Sequence, residues 1–507
     1  MTTSFPWLTL IGLLPLLGAL AIWMIQELAD WAKHIAVGVS VVTLVLTVAM
    51  ALQFQPGSAA KFQFVEEHAW IQQFGVSYAL GVDGIALALI VMSAVLVPIC
   101  LVAAWNDLPP EQAHRERHYF ALMLVLETFM IGVFAATDVF LFYVFFEAML
   151  IPVYFLIGQF GGPRRQYAAV KFLLFSLAGG LIMLAAVIAL YSNGPGGSQG
   201  FLLSNLTGLT IAPGTEKLIF LGFFFAFAVK APMVPVHTWL PDAAAESRPA
   251  TATLLVGVLD KVGTYGMIRF CMELFPGASQ WATPLVIVLA LVSIVYGALL
   301  AIGQSDIMRL IAFTSISHFG FIVLGIFAVT STSWTGSTLY MLNHGFSTAA
   351  LFLFAGMLIS RRGSKRIPDF GGWQRVVPGL AGVWLLAGLS CIALPGLGSF
   401  LSEFLVLAGT FQRHQVVAVV ATTGIILAAL YILLMYKRTM TGPKPDNVAV
   451  PDLSAREKWV AVPLIALFVA LGFYPKPALD AITPAVTSIL ASIHVTDPAP
   501  VAEGSNK

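Results

Sequence analysis

Six ionisable side chains stand in stretches of sequence that are otherwise almost wholly apolar: Glu147, Lys230, Lys261, His318, His344 and Glu403. A seventh, His237, follows two prolines in VKAPMVPVHTWLPDA (229–243). A charge held inside hydrocarbon is costly and by default marks an ion or proton path. Carboxyl, amine and imidazole groups all exchange protons. Burial favours their neutral forms and an opposite charge favours the charged ones. Moving Glu147 relative to Lys230 therefore changes proton affinity at both. One pKa unit corresponds to about 1.4 kcal/mol, and one charge crossing 100 mV to about 2.3 kcal/mol. Shifts of a few units thus match a physiological gradient, and the chemistry on offer is proton relay.

Spacing sets the depth of these groups. Glu147 lies nine residues past Asp138, roughly 13 Å along a helix. Lys230 and Lys261 lie thirteen past Lys217 and Arg248, roughly 20 Å each. His318, His344 and Glu403 come to roughly 13–15 Å from the nearer end of their runs. Against a hydrocarbon core of about 30 Å, all six fall near the middle. Packed side by side on six helices, they make a polar row in the membrane plane rather than a pore along its normal.

The elements that must position them are spans. The chain has 507 residues, 59% hydrophobic and 10% charged, far from a soluble composition. Fourteen runs are long enough to cross a bilayer. Their cores are near 6–25, 34–53, 82–104, 119–136, 139–158, 171–191, 217–237, 250–271, 282–303, 308–329, 336–359, 377–411, 415–436 and 458–475. The first lacks a positive n-region and reads as a retained span. Residues 54–80 read as a hairpin, 193–216 as a small extramembrane cap, and the tail from 476 as an amphipathic surface helix followed by disorder. Pro232 and Pro235 break span 7. Pro395, Gly396 and Gly398 break span 12, just before Glu403. Breaks at matching positions of two halves point to an ion path. They suggest two inverted five-helix repeats, spans 4–8 and 9–13, in an all-α polytopic membrane protein. The expected segments are 1–118, 119–275 (first repeat), 276–440 (second repeat) and 441–507.

Charge sets orientation. With fourteen spans, eighteen of the 26 Lys and Arg fall on one set of loops and five on the other, Lys507 among the five. This places both termini on the outer, positive side of a bacterial inner membrane. Net charge is +1, which gives no nucleic-acid signal. Cys100, Cys271 and Cys391 are far apart, with no metal, cluster or disulfide spacing.

Plainer roles exist for each residue. Glu147, Lys230 and Lys261 could pair helices, and His237 could cap exposed carbonyls. His318 and His344 could be neutral core histidines bonded to Ser315, Ser317 or Ser347. Glu127 is mid-span and fits either role. Asp260 could neutralise Lys261 or cap the outer part of the relay. Asp83, Asp138 and Asp242 read as caps or loop anchors, and Arg269 as a residue snorkelling to the outer surface.

VKAPMVPVHTWLPDA and LDKVGTYGMIRF (259–270) resemble the antiporter-like membrane subunits of respiratory complex I. LFYVFFEAMLIPVYFLIG (141–158) is similar to that family's glutamate-bearing fifth helix. Glutamate rather than lysine in GSFLSEFLVLAGTF (398–411) resembles the family's M-type, chain 4 branch. The resemblance implies that Glu147 and Lys230 form a coupling ion pair modulated by His237. It makes Lys261 the central relay, His318 and His344 the bridge, and Glu403 the terminal site. Asp260 departs from the family pattern, which is mostly hydrophobic there. The family implies partners among the other membrane subunits, including homologous antiporter-like ones, within a lipid bilayer. It implies no cofactor on this chain, with FMN, iron–sulfur clusters and quinone on partner subunits. The alternatives are a subunit of a multi-subunit cation/proton antiporter, which glutamate at 403 argues against, and a purely structural membrane-arm subunit. An independent secondary transporter would need transport activity in the isolated chain.

Overall fold

The computed structural model describes residues 5–108, 115–446 and 448–498. Lys507 and the part of the tail expected to be disordered beyond 498 lie outside them. Among the described residues, ten helices are long and apolar enough to cross a membrane, or up to eleven if one bent pair is counted as a span. Outward faces carry large apolar residues at seven-residue intervals. Leu174, Leu181 and Ile188 form one such stripe, Leu285, Val292 and Leu299 a second, and Val419, Ile426 and Leu433 a third. Two turns of helix separate the members of each stripe, so each helix presents an apolar outer face.

The chain begins with α1 (Trp7–Met24) and α2 (Ala32–Ala51). The expected hairpin is present as antiparallel β1 (Gln63–Ile71) and β2 (Val76–Val82). Helices α3 (Gly84–Ala103) and α4 (Glu116–Ala135) follow. The expected fifth span is one apolar stretch, Val139–Phe160, interrupted only at Met149 between α5 (Val139–Ala148) and α6 (Leu150–Phe160). Pro152 accounts for this. It has no N–H to give the Ala148 carbonyl, and its ring crowds that carbonyl. Next come α7 (Arg165–Asn193), the short α8 (Leu203–Leu206) in the extramembrane segment, and α9 (Pro213–Lys230). The chain is non-helical from 231 to 238, where Pro232 and Pro235 lie, and resumes as α10 (Trp239–Glu246).

The expected helix over 250–271 is also irregular. Between α11 (Pro249–Leu254) and α12 (Lys261–Gly266) runs a π-helical turn, Leu255–Leu259, and a second follows at Met267–Met272. Then come α13 (Pro276–Ile302), α14 (Ile307–Ala328), α15 (Ser331–Arg362), α16 (Pro378–Cys391), α17 (Gly398–Arg413) and α18 (Gln415–Met440). Residues 392–397 break α16 from α17, at the expected Pro and Gly positions. The last pair, α19 (Ala455–Phe473) and α20 (Lys476–Ser492), bends by 66°. α14 is buried along its whole length, and α4 and α15 along most of theirs. These form the interior that holds the polar row. Asp83 and Asp138 cap α3 and α5 as expected, each accepting from two backbone N–H groups.

Candidate proton-relay site

Lys230 is the last residue of α9 and is 1% exposed. Its Nζ has no hydrogen-bond partner. It lies over the rings of Phe146 (4.8 Å) and Phe172 (5.8 Å), so π faces hold the amine where a polar partner would be expected. Glu147 is the penultimate residue of α5, beside the interruption at Met149. Its Oε1 is buried and also unpartnered. It is seated against Gly180 of α7, where a Cβ would come within 1.8 Å of Oε1. The expected Glu147–Lys230 ion pair is not closed, since neither Glu147 Oε1 nor Lys230 Nζ has a hydrogen-bond partner. Each helix end presents its charge to an aromatic or glycine-lined wall instead.

The break after Lys230 satisfies its own backbone. The Trp239 indole donates to the Val229 carbonyl (3.0 Å), and Val234 N–H donates to Ser293 Oγ of α13 (3.0 Å). The Val229 carbonyl is thus capped by Trp239, while His237 lies against the backbone at Pro235. His237 packs edge-on against Tyr296 at 5.2 Å, and its Nδ1 is buried without a partner. Beyond the break, α10 is pinned. Asp242 accepts from Lys171 of α7 (2.7 Å) and from Arg309 of α14. Burial pushes the Asp242 carboxyl up, but the hydrogen bonds from Lys171 and Arg309 hold it below its ordinary value. It is an ion-pair node, not a cap. Glu246 pairs with Lys365 (3.4 Å), which also reaches Asp306 (3.3 Å).

Lys261 is wired rather than loose. Its Nζ donates to the Val256 carbonyl in the π-helical turn (2.7 Å) and meets His344 Nδ1 of α15 at 2.7 Å. Phe319 of α14 lies below it at 5.2 Å. His344 Nε2 is 3.2 Å from Thr348 Oγ1. The rings of His318 and His344 stand edge to face, 5.3 Å between centroids. His318 Nε2 faces the Tyr431 hydroxyl of α18 at 3.4 Å, and its ring lies 5.8 Å from that of Tyr340. Neither histidine side chain takes the expected serine partners. Ser317 Oγ donates to the Ile294 carbonyl, and Ser347 Oγ to the His344 backbone.

Glu403, 4% exposed, sits in the first turns of α17 within electrostatic reach of Tyr340, Cys391 and Tyr431. Asn343 of α15 holds the break in place by donating to the Gly398 carbonyl (2.7 Å) and to Ser402 Oγ (3.3 Å). The structure thus strings Lys261, His344, His318 and Tyr431 together and leaves Glu403 just beyond.

Arg269 does not snorkel. It is 1% exposed and bonded to Asp83 and to Glu273 (3.1 Å), and Glu273 also takes Lys61. Glu127 and Asp260 are fully buried, and none of their carboxylate oxygens has a partner. The three cysteines are buried and free. Among the described residues, no group of three or more His, Cys, Asp or Glu could hold a metal ion. Sequence reasoning missed Tyr340, Tyr431, Thr348, Asn343 and Gly180. Tyr431 and Asn343 carried a signal as isolated polar groups in apolar runs, and Thr348 as the i+4 neighbour of His344.

Two family models cover most of the chain. Residues 136–428 match "NADH:quinone oxidoreductase/Mrp antiporter, TM", and residues 10–133 match "NADH-ubiquinone oxidoreductase chain 4, amino terminus". NADH-quinone oxidoreductase subunit M of Mycobacterium tuberculosis is 50% identical, with 98% of this chain and 96% of that protein aligned. The chain belongs to the subunit M family. The Rhodobacter capsulatus subunit M is 38% identical over 96% of this chain and 97% of its own. A chain of respiratory complex I from Thermus thermophilus superposes with a TM-score of 0.87 at 30% identity, covering 96% of this chain and 99% of that one. A chain of the Mrp complex from Dietzia shares the fold, with a TM-score of 0.85 at 21% identity over 96% of this chain and all of that one.

Proposed function

We propose that this subunit M homologue moves protons across the membrane along its buried polar row, driven by electron transfer elsewhere in its complex. The chain is a multi-pass, proton-translocating membrane subunit of NADH–quinone oxidoreductase, and its partners are other membrane subunits. The finer reading has fourteen spans, counting each broken or irregular helix as one, with inverted repeats over spans 4–8 and 9–13. Both termini face the positive side of a bacterial inner membrane. FMN, iron–sulfur clusters and quinone are carried by partner subunits.

In this reading Glu147 and Lys230 gate uptake from the negative side. Closing the gap between them favours the charged forms of both, and opening it favours release. His237 tunes the break, Lys261, His344 and His318 pass the proton sideways, and Glu403 precedes release. The observation that carries this reading is the contact from Lys261 Nζ to His344 Nδ1 (2.7 Å), continued by His318 and Tyr431 across four helices. A row of exchangeable groups at contact distance across a membrane interior has proton transfer as its natural chemistry. A cation/proton antiporter reading is not favoured, because the relatives at 38–50% identity are complex I subunits, while the Mrp chain shares the fold at 21% identity. A purely structural role predicts that Glu147→Gln leaves pumping by the assembled complex intact. We expect that variant to abolish proton transport in proteoliposomes at normal assembly, and intact transport would overturn the assignment.

A further inference from the structure

Lys230 and Lys261 turn away from each other. The first lies over Phe146 and Phe172 of α5 and α7. The second points at Val256 O, His344 and Phe319, toward α14 and α15. A proton leaving Lys230 for Lys261 must cross the face of α12 that packs on α9. Gly263 marks that face, since a Cβ there would lie 2.6 Å from both Phe227 O and Ala231 N of the α9 end. Residues three apart on a helix share a face, so Asp260 stands on the same side as Gly263, one turn nearer the inner surface. Gly263 is level with the end of α9 at Lys230, and Asp260 stands one turn beyond it, on the side of the Pro232–Pro235 break. Asp260 is fully buried and neither of its oxygens has a hydrogen-bond partner. It lies within electrostatic reach of Lys261 and of Lys230. An ionised carboxylate without donors is expensive in such a place. A carboxyl that takes up and gives away a proton is suited to it.

We propose that Asp260 is a proton-carrying member of the relay, placed between Lys230 and Lys261. The Lys230 ammonium gives a proton to the Asp260 carboxylate, leaving a neutral amine and a carboxylic acid. The acid then gives the proton to the neutral Lys261 amine, restoring the carboxylate and forming an ammonium. One positive charge moves from Lys230 to Lys261, and nothing else changes. This rests on the relay assigned above, and the test separates the two.

The assembled complex carrying Asp260→Asn is reconstituted in proteoliposomes beside wild type, Asp260→Glu and Glu147→Gln, with NADH-driven acidification as the readout. Asp260→Asn is expected to lower proton transport about tenfold at unchanged assembly, and Asp260→Glu to restore it. Wild-type transport by Asp260→Asn, with Glu147→Gln blocked, overturns the Asp260 role and leaves the relay standing. Wild-type transport by both sinks the relay itself. If Asp260→Asn does not assemble, infrared difference spectra of turnover in wild type and Asp260→Glu decide. A carboxylic-acid band that moves between the two supports the proposal, and no such band overturns it.

Discussion

The surroundings of the two buried lysines differ in kind. Lys230 ends a helix, has no hydrogen-bond partner and rests on two aromatic rings, while its expected carboxylate partner sits apart against a glycine. Lys261 sits inside a helix whose π-helical turn offers it a carbonyl, and a histidine fills its other side. A charged group with few fixed partners costs little to move, whereas one with two good acceptors costs about 1.5–3 kcal/mol per bond to detach. In the proposed relay, the region around Lys230 therefore changes its contacts and the region around Lys261 conducts through fixed ones. The proposal makes a switch and a wire from the same residue type.

Arginine at either position tests this division most severely. Arginine keeps the charge but cannot release a proton in a protein. Lys261→Arg should cut proton transport in proteoliposomes by about a hundredfold or more, at normal assembly, because a wire needs an exchangeable group. Lys230→Arg should block as well, because the proposed relay takes its proton from Lys230. Retained transport would mean that Lys230 acts by position alone and would overturn its hand-over to Asp260.

Gly180→Ala reaches the switch without touching a charge. The added methyl would stand 1.8 Å from Glu147 Oε1, so Glu147 must leave its seat. Transport should fall about tenfold while detergent-solubilised complex of normal size is still recovered. Normal transport would mean that the seat of Glu147 is irrelevant.

At the wire, Thr348→Val removes the hydroxyl beside His344 Nε2. It should slow turnover by a few-fold, in line with about 1 kcal/mol for one hydrogen bond. An effect as large as that of Lys261→Arg would show that Thr348 holds the imidazole orientation outright.

Stability should respond least. Asp242→Asn weakens the tie of α10 to α7 and α14 and should cost about 1–2 kcal/mol, read as a lower thermal midpoint of the purified complex. The folded Asp242 carboxyl is held below its ordinary value. Its contribution is therefore complete above the unfolded value of about 3.9 and is lost only as pH falls through the lower folded value. Mild acidification to about pH 5 should leave this tie intact.

Much of this was legible in the chain. Apolar run lengths pointed to a many-helix membrane protein, and the Pro and Gly clusters marked both breaks. Pro152 carried the break at Met149 and was passed over inside a continuous apolar run. The π-helical turns left no comparable mark, since LVGVL and MIRFCM read as ordinary helix. Pairing was the least legible. Arg269 near a span end resembles a snorkelling cation, and only the fold brings Asp83 and Glu273 to it. Likewise no spacing rule connects His318 to Tyr431, 113 residues away.

The cluster of Lys61, Arg269, Asp83 and Glu273 has a consequence for the interior. Each cation is spent on an anion, and the count is even, two against two. Such a knot carries no net charge into the interior. It ties the start of α3 to the π-helical turn at Met267–Met272, beyond Lys261 on the side away from Arg248, so that four charged groups stay inside the protein as one neutral unit.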